Sequence, residues 1–214
     1  LNNKKVKYLK FADWEPLYEE IVSDFSYCKE EDIRSAEILA ECRGTDSLAS
    51  LRELKGIKVE IGGPYFSKSD IETTIAAGAS VSQIVDEGVE PDLLVTDLDG
   101  DKELQLDLNL NGVPAVIHAH GDNIQLIKSW AEKFKGPVVA TCQCYPPEND
   151  IYNFGGFTDG DRACFIADHF GAEKIVLNGW DFDEPFESDN SEKQKKLRWA
   201  ERLIESLKIT VEKI

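Results

Sequence analysis

The sequence predicts an α/β protein, a mostly parallel sheet flanked by helices and preceded by a helical segment. Three observations carry this. Short apolar runs recur from residue 57 onward, each bounded by glycine, proline or acidic residues, as expected of strands buried on both faces. Between them lie stretches with apolar residues three and four apart, the period of a helix with one buried face. Acids and imidazoles follow the apolar runs directly, at the strand ends where open sheets of this kind bind ligands.

The elements follow in order. Asp13 can cap a helix whose apolar face is Leu17, Ile21, Val22 and Phe25, and Glu30 to Asp32 open a second carrying Ile33, Ala36 and Ala40. A third short helix spans 46–54, after Gly44. Residues 1–55 thus form an N-terminal helical subdomain, and 56–214 an α/β catalytic domain. A strand over 57–61 runs into Gly62-Gly63-Pro64, and Ser69 opens a short helix that reaches Gly78. Strands follow at 93–97 and 115–117, the first extending to Asp99 if the alternation persists. A helix over 122–135 presents Ile124, Ile127, Trp130, Ala131 and Phe134 on one face. Residues 137–142 form the next strand. The helix over 159–170 stops at Gly171, a strand covers 174–177, and a final helix covers 191–207. Strand and helix in alternation give a Rossmann-like sheet.

Composition narrows the function. In 214 residues, 42% hydrophobic and 9% aromatic, there is enough apolar surface for a substantial core. The net charge of −17 opposes nucleic acid and anionic membrane surfaces as partners. An anionic small-molecule substrate would then need a metal. No signal peptide, transit peptide or apolar run of about 18 residues is visible, so the expected location is the cytoplasm. Five cysteines without a regular framework fit reduced thiols, with Cys142 and Cys144 as alternating positions at a strand end.

Three clusters carry chemistry. Thr96-Asp97-Leu98-Asp99-Gly100-Asp101 offers hard oxygen ligands on a strand end and turn, suited to Mg²⁺ and polyphosphate. His118-Ala119-His120-Gly121-Asp122-Asn123 lies at a strand-to-helix junction whose amides favour anions; Asp122 is close enough in this reading to share the metal with Asp97 and Asp99, and either histidine can assist through phosphate oxygens. In 153–162, Gly155 and Gly156 lie between Phe154 and Phe157, a loop suited to wrapping a flat ring. Asp159 or Asp161 can accept from the amino edge of a heterocycle, and Arg162 can clamp phosphate. Asp181 also follows a strand and joins the candidate substrate contacts. Gly62 and Gly63 lack the spacing of a phosphate-binding loop motif but, with Asn123 and Arg162, are candidate nucleotide contacts.

Taken together, the motifs 91–101, 118–123 and 153–163 resemble the archaeal 6-hydroxymethyl-7,8-dihydropterin pyrophosphokinases, which are related in fold to thiamin pyrophosphokinase. The resemblance covers about 57–207. It implies a thiamin pyrophosphokinase-like core, Mg²⁺ as cofactor, ATP as co-substrate, and diphosphate transfer to the pterin hydroxymethyl group in tetrahydromethanopterin or folate-type cofactor synthesis. It also implies a homodimer, for which the apolar positions Trp14, Leu17, Tyr18 and Ile21 offer a contact face. Alternatives are a related enzyme acting on another heterocyclic alcohol, a haloacid-dehalogenase-type phosphatase with Asp97 as nucleophile, a zinc hydrolase built on His118-x-His120-x-Asp122, and a non-enzymatic carrier. The phosphatase pattern is interrupted by Asp101, and the zinc pattern has Asn123 where a histidine is needed.

Overall fold

The computed structural model describes residues 11–42, 47–147, 150–183 and 191–214. Eight strands form one sheet: β1 (Lys58–Gly62), β2 (Thr73–Ala77), β3 (Leu93–Thr96), β4 (Ala115–Ala119), β5 (Val138–Cys142), β6 (Ile151–Tyr152), β7 (Lys174–Asn178) and β8 (Val211–Lys213). Their order is β6-β5-β4-β3-β2-β1-β7-β8, and every pairing is parallel. The chain steps outward from β1 to β6, then returns to lay β7 on the other side of β1. Strand order therefore reverses at β1, the kind of crevice where open parallel sheets hold ligands.

The helices are α1 (Phe11–Phe25), α2 (Lys29–Cys42), α3 (Leu48–Leu51), α4 (Ser80–Asp86), α5 (Lys102–Leu110), α6 (Ile124–Trp130), α7 (Asp159–Phe170) and α8 (Ser191–Glu205). Successive strand residues alternate between two apolar layers. Leu94, Ala115 and Ile117 pack with Ala36, Leu39, Ile84 and Ile127 of α2, α4 and α6. Leu93, Val95 and Val116 pack with Ala163, Ile166 and Ala167 of α7 and Ala200 and Ile204 of α8. Right-handed crossovers require this division, because the connections that run outward and those that return must lie on opposite faces.

Helix α1 bridges the layers. Trp14 meets Phe165 of α7 edge-on at 6.1 Å and donates to the carbonyl of Gln143 at 2.9 Å, while Trp199 of α8 donates to Asp24 at 2.8 Å. Trp14, Tyr18 and Ile21 are consequently buried within the chain, so they do not form the subunit-contact face expected of them.

Two further expectations are corrected. The helix foreseen over 69–78 is instead a bend followed by β2, because Thr73, Thr74 and Ile75 are β-branched and the run 74–77 is buried between β1 and β3. On α2, Ile33 is exposed and the buried face is Asp32, Ser35, Ala36 and Leu39. That face turns a carboxylate and a hydroxyl inward, toward the strand ends described next. The third N-terminal helix lies where expected, although Asp46, its foreseen start, falls outside the described residues.

Candidate active site

Strand β3 ends at Thr96, short of the extension to Asp99. Leu98 adopts φ 69° and Gly100 φ 61°, so the chain turns sharply between the two aspartates. A left-handed leucine costs roughly 1–3 kcal/mol, offset here by complete burial of its side chain. The turn brings Asp97 and Asp99 together, with the Asp99 amide donating to Asp97 Oδ1 at 3.1 Å. Asp159, in the first turn of α7, reaches the same place, and its Oδ2 accepts from the Asp97 amide at 3.3 Å. Gly78 makes room for it: at φ +56° any Cβ there would stand 2.8 Å from Asp159 Oδ2. Asp97, Asp99 and Asp159 each offer a carboxylate oxygen within 4.8 Å of the others.

At that separation and an effective dielectric of about 20, each ionised pair repels by on the order of 3 kcal/mol before solvent screening. The titration behaviour follows. Burial and the neighbouring Asp97 push the Asp99 carboxyl up to about 6. Asp159 is raised well above the usual carboxylate range by burial and by Asp97. Asp97 goes the other way: burial opposes ionisation, but the hydrogen bond from His120 holds its carboxyl well below the ordinary value. Hard oxygen donors that repel one another are a donor set that fits Mg²⁺.

His120 lies in the site with both ring nitrogens engaged. Nδ1 accepts from the Asp122 amide at 3.3 Å, which leaves Nε2–H to donate to Asp97 Oδ2 at 3.2 Å. His118, foreseen beside it as a phosphate contact, is fully buried; its Nδ1 pairs with Thr141 Oγ1 at 3.0 Å inside the sheet. Burial, with Arg162 and His120 nearby, holds its pKa well below the ordinary histidine value, so it is neutral.

Asn123, foreseen as a nucleotide contact, is a clamp. Its Nδ2 donates to the carbonyls of Asp97 (2.8 Å) and His118 (2.7 Å), and its Oδ1 accepts from the His120 amide and Ser35 Oγ, both at 3.1 Å. It fixes β3 against β4 and leaves no group for a ligand.

The 153–162 motif divides in the same way. Asp161 accepts from the amides of Phe157 and Thr158, each at 2.7 Å, and from Thr158 Oγ1. Arg162 is buried and donates to the carbonyls of Gly156 and Phe157, each at 2.9 Å. Both residues shape the loop from within, so neither reaches a pterin edge or a phosphate. Phe154 is likewise a core residue, stacked on Tyr152 and edge-on to Phe170. Asp101, the third acid of its cluster, caps α5 by accepting from the Leu104 amide at 3.0 Å.

Two adjoining cavities open at the strand ends. The smaller, about 260 Å³, is lined by Asp97, Asp99, His120, Asp122, Phe157 and Asp159, and by Tyr27, Glu31, Asp32 and Gln143. The larger, about 630 Å³, is lined by Gly62, Gly63, Pro64, Ser80, Trp180, Asp181 and Leu197. Asp99, Thr158, Lys193 and Lys196 line both. Asp122 faces the smaller cavity from an exposed position and stands outside the three-acid cluster.

One wall of the smaller cavity is aromatic, with Phe25 5.3 Å from Tyr27 and 5.1 Å from Phe157. Opposite, the buried Asp32 accepts from the Gly121 amide (2.7 Å), Tyr18 (2.7 Å) and Gln143 (2.9 Å), tying α1 and α2 to the ends of β4 and β5. The larger cavity depends on a tight crossing after β1 and β7: a Cβ on Gly63 would stand 2.5 Å from the Gly179 carbonyl. Sequence reading missed Tyr27, Asp32, Lys193 and Lys196. Two lysines one turn apart in a strongly acidic chain were the available signal.

Residues 66–186, more than half of the chain, match the family model described as 6-hydroxymethylpterin diphosphokinase MptE-like. The chain belongs to this family. A 6-hydroxymethyl-7,8-dihydropterin pyrophosphokinase of Pyrococcus furiosus is 39% identical over 94% of this chain and 95% of its own. The protein of the same name from Methanocaldococcus jannaschii is 36% identical over 95% of this chain and 98% of its own. A third, from Methanothermobacter thermautotrophicus, is 38% identical over 63% of this chain and 62% of its own. The resemblance drawn from the three motifs is borne out, and with it the enzyme class, a diphosphokinase.

Proposed function

We propose that this chain transfers a diphosphoryl group from ATP to the hydroxymethyl oxygen of 6-hydroxymethyl-7,8-dihydropterin, releasing AMP, in cytoplasmic synthesis of a tetrahydromethanopterin or folate-type cofactor. The observation that carries this is the cluster of Asp97, Asp99 and Asp159 in the smaller of two adjoining cavities, with Asp99 shared by both. The names of the relatives support the pterin as acceptor.

In this reading the nucleotide occupies the larger cavity, with Trp180 and Leu197 as its apolar contacts, and the pterin lies in the smaller one against Tyr27 and Phe157. Asp97, Asp99 and Asp159 would hold Mg²⁺, which when bound supplies neutralisation of phosphate charge. The residues of the chain supply placement. His120 holds Asp97 ionised and oriented, Asn123 locks the two strand ends that carry them, and Asp161 with Arg162 fixes the loop that presents Phe157 and Thr158. Helices α1 and α2 close one side and exclude water. The pterin hydroxyl attacks the β-phosphorus directly, so alignment and electrostatics account for the acceleration.

Asp97→Asn tests the site. Turnover of pterin and ATP to AMP should fall at least about 100-fold, the scale of losing one essential electrostatic contact, while the thermal unfolding temperature stays close to that of the parent. A folded variant with unchanged turnover would remove the assignment.

A further inference from the structure

We propose that Lys196 is a further catalytic residue, its ammonium contacting the phosphate groups where the two cavities meet. The proposal rests on the diphosphate-transfer reading above and adds a group to it. The reaction brings a polyphosphate beside three carboxylates, a surplus of negative charge that one divalent cation does not cancel. Among the described residues lining the two cavities, acids predominate, and the cationic side chains are Lys193 and Lys196. Both line both cavities, which is the position a group must hold to follow a phosphoryl unit from one substrate to the other.

The two lysines differ in exposure. Lys193 is exposed. Lys196 is half-buried, with Nζ 3.3 Å from Glu192 Oε1 one turn earlier on α8 and beside the Tyr27 hydroxyl of the smaller cavity. Tyr27 and Glu192 both favour its charged form. An ammonium placed in advance stabilises developing charge without reorganising at the moment of reaction. In the transfer, the bond between the pterin hydroxyl oxygen and the β-phosphorus forms as the bond from that phosphorus to the α,β-bridging oxygen breaks. The electron pair leaves on the bridging oxygen of AMP and the hydroxyl proton goes to solvent. Lys196, having exchanged Glu192 for phosphate when the nucleotide binds, offsets the charge gathering on the bridging and β-phosphate oxygens.

Two measurements on the full chain test this: calorimetric affinity for α,β-methylene ATP with Mg²⁺, and steady-state formation of pterin diphosphate. Lys196→Ala should weaken nucleotide binding about tenfold and lower kcat a further tenfold or more, consistent with the loss of a charge-assisted contact. The pterin KM and the unfolding temperature should change less than about twofold and a few degrees. Lys196→Arg should restore most of the nucleotide affinity. Lys195→Ala removes an equal charge one residue away, where Lys195 pairs with Asp24 at 3.3 Å, and should alter neither readout. Unchanged nucleotide affinity and kcat in Lys196→Ala, or losses matched by Lys195→Ala, would overturn the assignment. Wild-type protein that binds the nucleotide but yields no pterin diphosphate would instead overturn the proposed acceptor, and the nucleotide affinities would still decide the role of Lys196.

Discussion

At the residue scale, the site stores electrostatic repulsion that a bound cation would relieve. The folded-state carboxyls of Asp99 and Asp159 are raised, so the metal-free cluster retains protons that an unfolded chain would have lost. For a group with a raised folded pKa, the folded state binds more protons between the two values, and stability falls as pH rises through that window. Asp97, whose carboxyl is lowered, contributes in the opposite sense: stability present above its unfolded value, lost as pH falls through the folded one. Divalent-cation binding must displace the proton on Asp99. Affinity for Mg²⁺ measured by titration calorimetry should therefore decline as pH falls below about 6, accompanied by proton release. Affinity unchanged between pH 7.5 and 5 would exclude Asp99 as a ligand. Asp159→Asn keeps an oxygen for the Asp97 amide while removing a carboxyl whose ionisation the cluster opposes. It should unfold at the same or a higher temperature without metal, yet lose the stabilisation that Mg²⁺ gives the parent.

At the element scale, the strand-end turns and the start of α7 decide what is placed where. Asp161 satisfies two amides and a hydroxyl in the 155–158 loop, so Asp161→Ala leaves buried donors unpaired. Its cost should be about 2–4 kcal/mol in denaturant unfolding, with the pterin KM raised because Phe157 loses its support. A variant of parental stability with only a changed pterin KM would return Asp161 to direct substrate contact. Gly160 packs beneath Trp180, whose indole donates to the Ile61 carbonyl at 2.8 Å, and a Cβ at Gly160 would stand 1.8 Å from the ring. Gly160→Ala should thus displace Trp180 and raise the nucleotide requirement more than the pterin requirement; equal changes in both would place Trp180 outside the nucleotide cavity.

These elements also show what sequence could reveal. Apolar runs and helical periods located β1, β3, β4, β5 and β7 together with α1, α2, α6, α7 and α8, because each buries a regular face. The pattern failed at β2, whose threonines and alanines read equally as a helix, and at β8, whose buried contacts are few. The three motifs it singled out meet at the strand ends, but which of their residues line the cavities and which brace the loops was not legible. A capping aspartate and a cavity-lining aspartate look alike until α7 is docked against β3.

At the scale of the whole molecule, the N-terminal helices complete the catalytic face as well as covering the sheet. Tyr27, Glu31 and Asp32 wall the smaller cavity, and Asp24 and Tyr27 make contacts with α8. No pattern within the α/β segment pointed to this, because the contacts join residues more than a hundred positions apart. With the acid cluster in the smaller cavity and Asp99 shared with the larger, the proposed transfer has the moving group at the junction of the two. Incubating the protein with Mg²⁺, 6-hydroxymethyl-7,8-dihydropterin and ATP labelled at the β-phosphate tests this most directly. The account predicts label in a pterin diphosphate and unlabelled AMP as coproduct. Labelled ADP as the coproduct, or phosphate retained on Asp97, would contradict it.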